Sequence, residues 1–215
     1  YMYNNNGQVL INPSTGYAVR DQNFQVVGDR NPDFTIGLQN SFAYKNFSLS
    51  FLLDIRKGGD VYNATELYLY NMGLSTKTLN REQPVILNGV LQDGLENTSN
   101  PTKNNIQITP NYQNDYYNSA YVASDFVEKD INWLRMRDIT LKYNFSSALL
   151  KRTKLFNSIL IYTTITDAFI ITNYSGADPA VNALNASAGG AGGTGIDYGV
   201  ISTPRGFNFG VKFGL

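Results

Sequence analysis

Residues 34–56 read FTIGLQNSFAYKNFSLSFLLDIR, and this stretch decides the fold class. From Phe34 to Tyr44, every second residue (Phe34, Ile36, Leu38, Phe42, Tyr44) is large and apolar or aromatic, with Asn40 the one departure. Thr35, Gly37, Gln39, Ser41 and Ala43 fall between them. The pattern resumes after a gap of two: Phe47, Leu49, Phe51, Leu53 and Ile55 against Ser48, Ser50, Leu52, Asp54 and Arg56. A period of two predicts two strands, each with one apolar face. The leftover Lys45-Asn46 predicts a two-residue hairpin turn, with Asn46 tolerating the left-handed conformation.

Three further segments carry the same signal. Near 132–145, Ile139, Leu141, Tyr143 and Phe145 alternate with Asp138, Thr140, Lys142 and Asn144. Near 156–166, Ile159, Ile161, Thr163 and Ile165 share one side. Near 205–215, Phe207, Phe209, Val211, Phe213 and Leu215 oppose Gly206, Asn208, Gly210, Lys212 and Gly214. All 7 Pro lie outside the five segments, as strand ladders demand. The connections run short (45–46), long (57–131), short (146–155), long (167–204). An antiparallel up-and-down sheet with one trimmed end and one decorated end follows.

The long connections have structure of their own. Asn63-Ala64-Thr65-Glu66 has capping-box spacing and predicts a short helix to about Met72, stopped by Gly73. Residues 96–119 read as irregular loop, and the Gly/Ala-rich run 185–195 as a flexible low-complexity stretch.

Composition narrows the functional classes. Seventeen Lys+Arg balance 17 Asp+Glu, and a zero net charge argues against broad nucleic-acid binding. There is no His and no Cys, which removes thiol nucleophiles, disulfides, the usual zinc sites and His-based acid/base chemistry. Neither a signal peptide nor an apolar run long enough for a membrane helix is present in residues 1–215. The opening Tyr1-Met2-Tyr3 reads as an internal start, a piece of a longer protein.

An apolar face repeated over five strands fits two architectures. In a soluble β-sandwich it meets a second layer; in a transmembrane β-barrel it meets lipid and the polar face lines a wet lumen. Alternation does not separate them. Four features point toward the barrel. The segments run to about 10–14 residues, long enough for the ~9–11 a barrel strand needs and well beyond the ~5–6 of soluble strands. The turns alternate short and long. Tyr44, Phe47, Tyr143, Phe145, Phe156 and Phe213 gather at the short-turn end, as an interfacial girdle does. The last strand runs to the terminus without a tail. The expected fold is therefore all-β: antiparallel strands forming the C-terminal part of a transmembrane β-barrel over residues 1–215, with 57–131 and 167–204 as outer loops.

Several segments resemble one family. NPDFTIGLQNSFAYKNFSLSFLLDIRKGGDVYN (31–63), INWLRMRDITLKYNF (131–145), DAFIITNYSGADPAVN (167–182) and GIDYGVISTPRGFNFGVKFGL (195–215) are similar, in order, to the SusC/RagA-type TonB-dependent outer-membrane transporters of Bacteroidota. The chain departs from the family pattern at Asp167-Ala168-Phe169, where Asn-Leu-Phe is usual, and at Leu215, where Phe is common. The resemblance implies a barrel of about 22 strands around a plug. It further implies a SusD-like surface lipoprotein as lid, a TonB complex acting through the part absent from this chain, and contact with outer-membrane lipid. The ligand would be a glycan or peptide imported without catalysis, cofactor or metal, and the location the cell outer membrane. The competing classes are a surface or soluble β-domain binding through its Tyr-rich loop, and a carbohydrate-active enzyme.

Candidate substrate-binding residues are Tyr112, Tyr116 and Tyr117 in the Tyr-rich connection, whose rings suit stacking and whose hydroxyls suit adaptable hydrogen bonds. Trp133 and Arg135, with Arg137, suit cation–π contact near the outer rim, or anchoring of that rim. Asp54, Arg56, Asp138 and Lys142 fall on the polar face, where barrel interiors ordinarily carry ion pairs. Asp178-Pro179 reads as a turn. The carboxylates Asp125, Glu128 and Asp130 read as a solvated loop rather than a calcium or glycosidase site.

Overall fold

A computed structural model describes residues 1–112, 117, 121–151, 155–180, 182–183 and 193–214. The strands in chain order are β1 (Leu10–Ile11), β2 (Phe34–Tyr44), β3 (Phe47–Lys57), β4 (Val61–Asn63), β5 (Val90–Leu91), β6 (Val127–Glu128), β7 (Trp133–Asn144), β8 (Ser158–Thr172), β9 (Asn182–Ala183), β10 (Gly193–Thr194), β11 (Ile196–Asp197) and β12 (Gly206–Gly214). The α-helices are α1 (Ala64–Asn71) and α2 (Ser147–Leu150). The chain divides into two compact units, one of residues 29–61, 128–195 and 200–215, the other of residues 1–28, 62–127 and 196–199.

The first unit holds a five-stranded sheet in the order β12-β8-β7-β3-β2, antiparallel throughout. Its register aligns the apolar rows predicted from the alternation. Tyr44 pairs with Phe47, Phe47 with Tyr143, Tyr143 with Ile161 and Ile161 with Val211. One row further in, Phe42, Leu49, Leu141, Thr163 and Phe209 follow the same path. Each row is a set of cross-strand contacts on one face. That face is open: Phe47, Phe209 and Phe213 are 51%, 74% and 55% exposed. An uncovered apolar face of five long antiparallel strands is consistent with a section of barrel wall rather than a sandwich closed within this chain.

Two details differ from the sequence reading. The fourth strand does not end at Thr166 but continues to Thr172. Asp167 takes a left-handed backbone (φ 47°), and the ladder steps from Asp138↔Thr166 to Met136↔Phe169 across it. A bulge of this kind interrupts alternation without ending pairing, so a pattern search stops too early. In the first hairpin the positive φ falls on Lys45 (52°) rather than Asn46. The favoured two-residue hairpin turns both require it at the first central position, and turn geometry overrides residue preference. The fifth strand is observed from Gly206 to Gly214, with Leu215 outside the described residues.

The polar end of this unit has a small core of Val61, Ile131 and Tyr174, with Val200 packed on it. The other unit has its own core. β1 and β5 pair in parallel, Leu10 with Val90 and Ile11 with Leu91, and Ile11, Val90 and Ile108 are fully buried. Gly89 permits this approach, because a Cβ there would stand 2.4 Å from the Val9 carbonyl oxygen. Helix α1 begins as its sequence predicts: the Asn63 side chain accepts the Glu66 amide at 2.9 Å. It ends at Met72, before a left-handed Gly73. The Glu66 carboxylate accepts the Ser75 hydroxyl, which ties the start of the helix to the residues after its end.

Candidate functional site

The chemistry of the wall concentrates on its polar face, at the long-connection end. A bulge puts it there. Between β3 and β7 the register moves from Leu52↔Asp138 to Leu53↔Met136, leaving Arg137 as an extra residue in β7. Unbroken alternation from Ile139 backwards would set Arg137 and Arg135 on the apolar face. The bulge changes the phase, so Met136 and Leu134 pair with the apolar-phase residues Leu53 and Ile55, and Arg135 pairs with Asp54.

The result is a chain of alternating charges. The Arg137 guanidinium donates to Asp54 at 2.6 and 2.9 Å and stands 3.9 Å from Asp167. Asp167 is in turn 3.5 Å from Arg135, and Arg135 donates to Asp178. Arg135 and Asp178 are each 4% exposed at the side chain. Asp178 also accepts the amides of Ala180 (3.0 Å) and Thr203 (3.4 Å), joining two parts of the final connection to the wall. Burial opposes ionisation of Asp178, but the Ala180 amide and the Arg135 guanidinium outweigh it and hold its carboxyl below the usual range. Around this chain lie surface pairs, Lys57 with Asp130 (2.6 Å) and Lys129 with Asp60 (2.9 Å). Such exposed pairs contribute little to stability.

Trp133 is buried beneath Arg56, whose guanidinium stands 4.9 Å from the indole centroid. Arg56 also donates to the Arg30 and Gly58 carbonyls at 2.7 and 3.1 Å. Within this chain Trp133 and Arg135 therefore take part in packing and charge pairing at the end of the wall. Asp54 and Arg56 are engaged in the same way.

In the other unit, Tyr117 packs edge-on against Tyr70 at 5.3 Å, and Tyr70 meets Tyr121 and Phe126 at 5.6 Å each. Burial raises the pKa of the Tyr117 hydroxyl, with nearby Arg81 acting the other way. Tyr112 ends the turn Pro110–Tyr112 and is exposed. Tyr116 lies outside the described residues. Alternation and loop composition did not anticipate a pocket of about 240 Å³ between α1 and the 198–199 segment, lined by Ala64, Thr65, Tyr68, Leu69, Tyr198 and Gly199. Its Thr65 hydroxyl is already used, donating to Asp197 and accepting the Gly199 amide at 2.7 Å each. Among the described residues no group of acidic, His or Cys side chains could hold a metal ion.

No protein-family model matches the chain. It is 27% identical over 190 residues to TonB-dependent receptor P3 of Formosa agariphila, covering 87% of this chain and 17% of that protein. It is 28% identical over 151 residues to TonB-dependent receptor SusC of Bacteroides thetaiotaomicron, covering 69% of this chain and 13% of that protein. In fold it is similar to the RagAB peptide importer in its closed-closed and open-open states, each with a TM-score of 0.56. Those superpositions cover 91% and 86% of this chain and 19% and 17% of the importer chain, at 13% and 15% identity. The chain thus spans less than a fifth of the length of the relatives it matches. The resemblance read in residues 31–63, 131–145, 167–182 and 195–215 is matched by these relatives: the chain is similar in sequence to TonB-dependent receptors and in fold to part of the RagAB barrel.

Proposed function

We propose that this chain forms a section of barrel wall and two outer connections of a TonB-dependent importer in the outer membrane. The observation that carries this reading is the continuous apolar face of β12-β8-β7-β3-β2, open along its length while the opposite face collects the charges. The similarity to TonB-dependent receptors P3 and SusC supports the transport class. Residues 1–215 then act as one stretch of barrel, with 57–131 and 173–204 facing the cell exterior and the turns 45–46 and 146–155 facing the periplasm. A SusD-like lipoprotein would cover the outer connections, and a TonB complex would act through another part of the full-length receptor. The cargo would be an oligosaccharide or peptide, and no step in this scheme asks the chain for catalysis. Fractionation of cells expressing the full-length protein tests the reading. The protein is expected in the outer-membrane fraction, soluble only with detergent. Release by salt or alkali alone would sink it.

A further inference from the structure

The short-turn end of the sheet combines three features that the import reading does not use. The first is charge. Residues 39–52, 139–163 and 208–215, which make up that half of the sheet and its turns, contain no Asp or Glu. They contain Lys45, Lys142, Lys151, Arg152, Lys154 and Lys212. Of these, Lys45 and Lys151 sit exposed in the two turns, at the rim itself. The first turn is tied to the end of β7, the Asn144 amide donating to the Asn46 carbonyl at 2.9 Å. The second is a set of interfacial side chains beside the cations. Tyr44 is exposed with the Lys45 ammonium 5.3 Å from its ring centroid, and Leu149 and Leu155 are exposed on either side of the basic run 151–154.

The third feature is a dent in the apolar face. Thr163 is the one small polar residue in the row Phe42–Leu49–Leu141–Thr163–Phe209. It leaves a cavity of about 370 Å³ among Phe47, Leu141, Tyr143, Ile161 and Phe209. Phe47 lies two residues along the chain from Lys45, across the turn, and so at most about 7 Å away along the backbone. A hydrocarbon-lined groove this close to cations matches the two halves of a single amphiphile.

We propose that this is a binding site for one anionic phospholipid, an acyl chain lying in the dent over Thr163 and the headgroup phosphate on Lys45 and Lys151. The site rests on the barrel reading, because only a face turned toward lipid presents the dent to an acyl chain. Charge decides between headgroups: with no carboxylate in this half of the sheet, a phosphatidylglycerol-type anion is favoured over a zwitterion. Each rim cation contributes roughly a fivefold preference at low salt.

The test uses the full-length receptor purified in detergent, with lipid adducts counted by native mass spectrometry against phosphatidylglycerol and phosphatidylcholine. Wild type is expected to retain phosphatidylglycerol preferentially. K45Q/K151Q should lose most of that preference, while T163F, which fills the dent without touching charge, should lower occupancy by both lipids. Heat-modifiable gel mobility reports whether each variant is still a folded barrel, and K57Q at the opposite end is expected to bind as wild type. Equal retention of both lipids by wild type, or an unchanged preference in K45Q/K151Q together with unchanged occupancy in T163F, overturns the site. Retention of an acidic protein through the same lysines, with no lipid preference, also overturns it. A receptor that leaves membranes without detergent defeats the barrel reading and this site together, whereas a membrane-integral receptor with no preference defeats the site alone.

Discussion

Arg135 on β7 and Asp178 in the final connection form a buried ion pair across 43 residues of sequence. Removing one partner of such a pair leaves an uncompensated buried charge, at about 3–5 kcal/mol. Asp167, 3.5 Å from Arg135, recovers part of this. D178N is therefore expected to destabilise by about 3 kcal/mol, and R135M/D178L, which removes both charges, by less. Denaturant unfolding of the full-length receptor, read at the 173–180 segment by protease cleavage, compares them. A double variant weaker than D178N would refute the pairing argument.

The same pair has a pH signature. The folded pKa of Asp178 is held below its ordinary value, since its amide donors and Arg135 outweigh burial. A depressed carboxyl adds stability that is present above the unfolded pKa, about 3.9, and is lost as pH falls through the lower folded value. Protection of the Ala180 and Thr203 amides, which donate to Asp178, should thus hold down to about pH 4 and fall below it. Hydrogen exchange corrected for intrinsic rate measures this. D178N should show weak protection with no such transition.

How much of this was legible depends on the range of each interaction. The wall strands are read directly because a sheet with one apolar face imposes a period of two on consecutive residues. The α1 cap is legible because Asn63 and Glu66 lie within one turn. The bulge left a local trace: Arg135 and Arg137 fall on the apolar phase of Ile139 and Leu141, which no lipid face tolerates. The continuation of β8 past Thr166 left a weaker one, the polar Asp167 between apolar runs. The Asp178 pairing left none. Its partner is distant in sequence, and Asp178-Pro179 satisfies a turn equally well. Trp133 and Arg135 look like ligand groups as residue types, and only three-dimensional packing reveals that Arg56 and Asp178 occupy them.

The bulge predicts an asymmetry between two deletions in β7. Against β3, Arg137 is the extra residue, so its removal lets Leu52↔Asp138 run directly into Leu53↔Met136 and keeps the faces of that pair in phase. The cost is the Asp54–Arg137 pair, the approach to Asp167, and a bulge against β8 that grows by one residue, since 167 and 168 already stand opposite Arg137. Deleting Thr140, three residues away in a regular stretch, shifts one part of β7 by one residue against the other and turns Ile139 or its neighbours to the wrong face. The Arg137 deletion is expected to yield assembled barrel and the Thr140 deletion to yield none, as judged by heat-modifiable mobility in outer-membrane preparations. Equal failure of both would mean that Arg137 is not a spare position.

The last expectation separates the two faces at adjacent residues. Phe51 and Ser50 sit near the middle of β3, Phe51 opposite Asn40 and Ile139, Ser50 opposite Ser41 and Thr140. Their side chains point to opposite sides of the sheet. An Arg at Phe51 would enter hydrocarbon, at about 2–4 kcal/mol near the bilayer midplane. An Arg at Ser50 would enter the wet interior, among Thr and Lys side chains, at little cost. F51R is therefore expected to lower the denaturant midpoint of the refolded receptor in lipid vesicles clearly, and S50R to leave it nearly unchanged. The difference should shrink when vesicles are replaced by a loosely packed detergent, which lets water reach the substituted side chain. A reversed order of the two variants would place the apolar side of the wall inward.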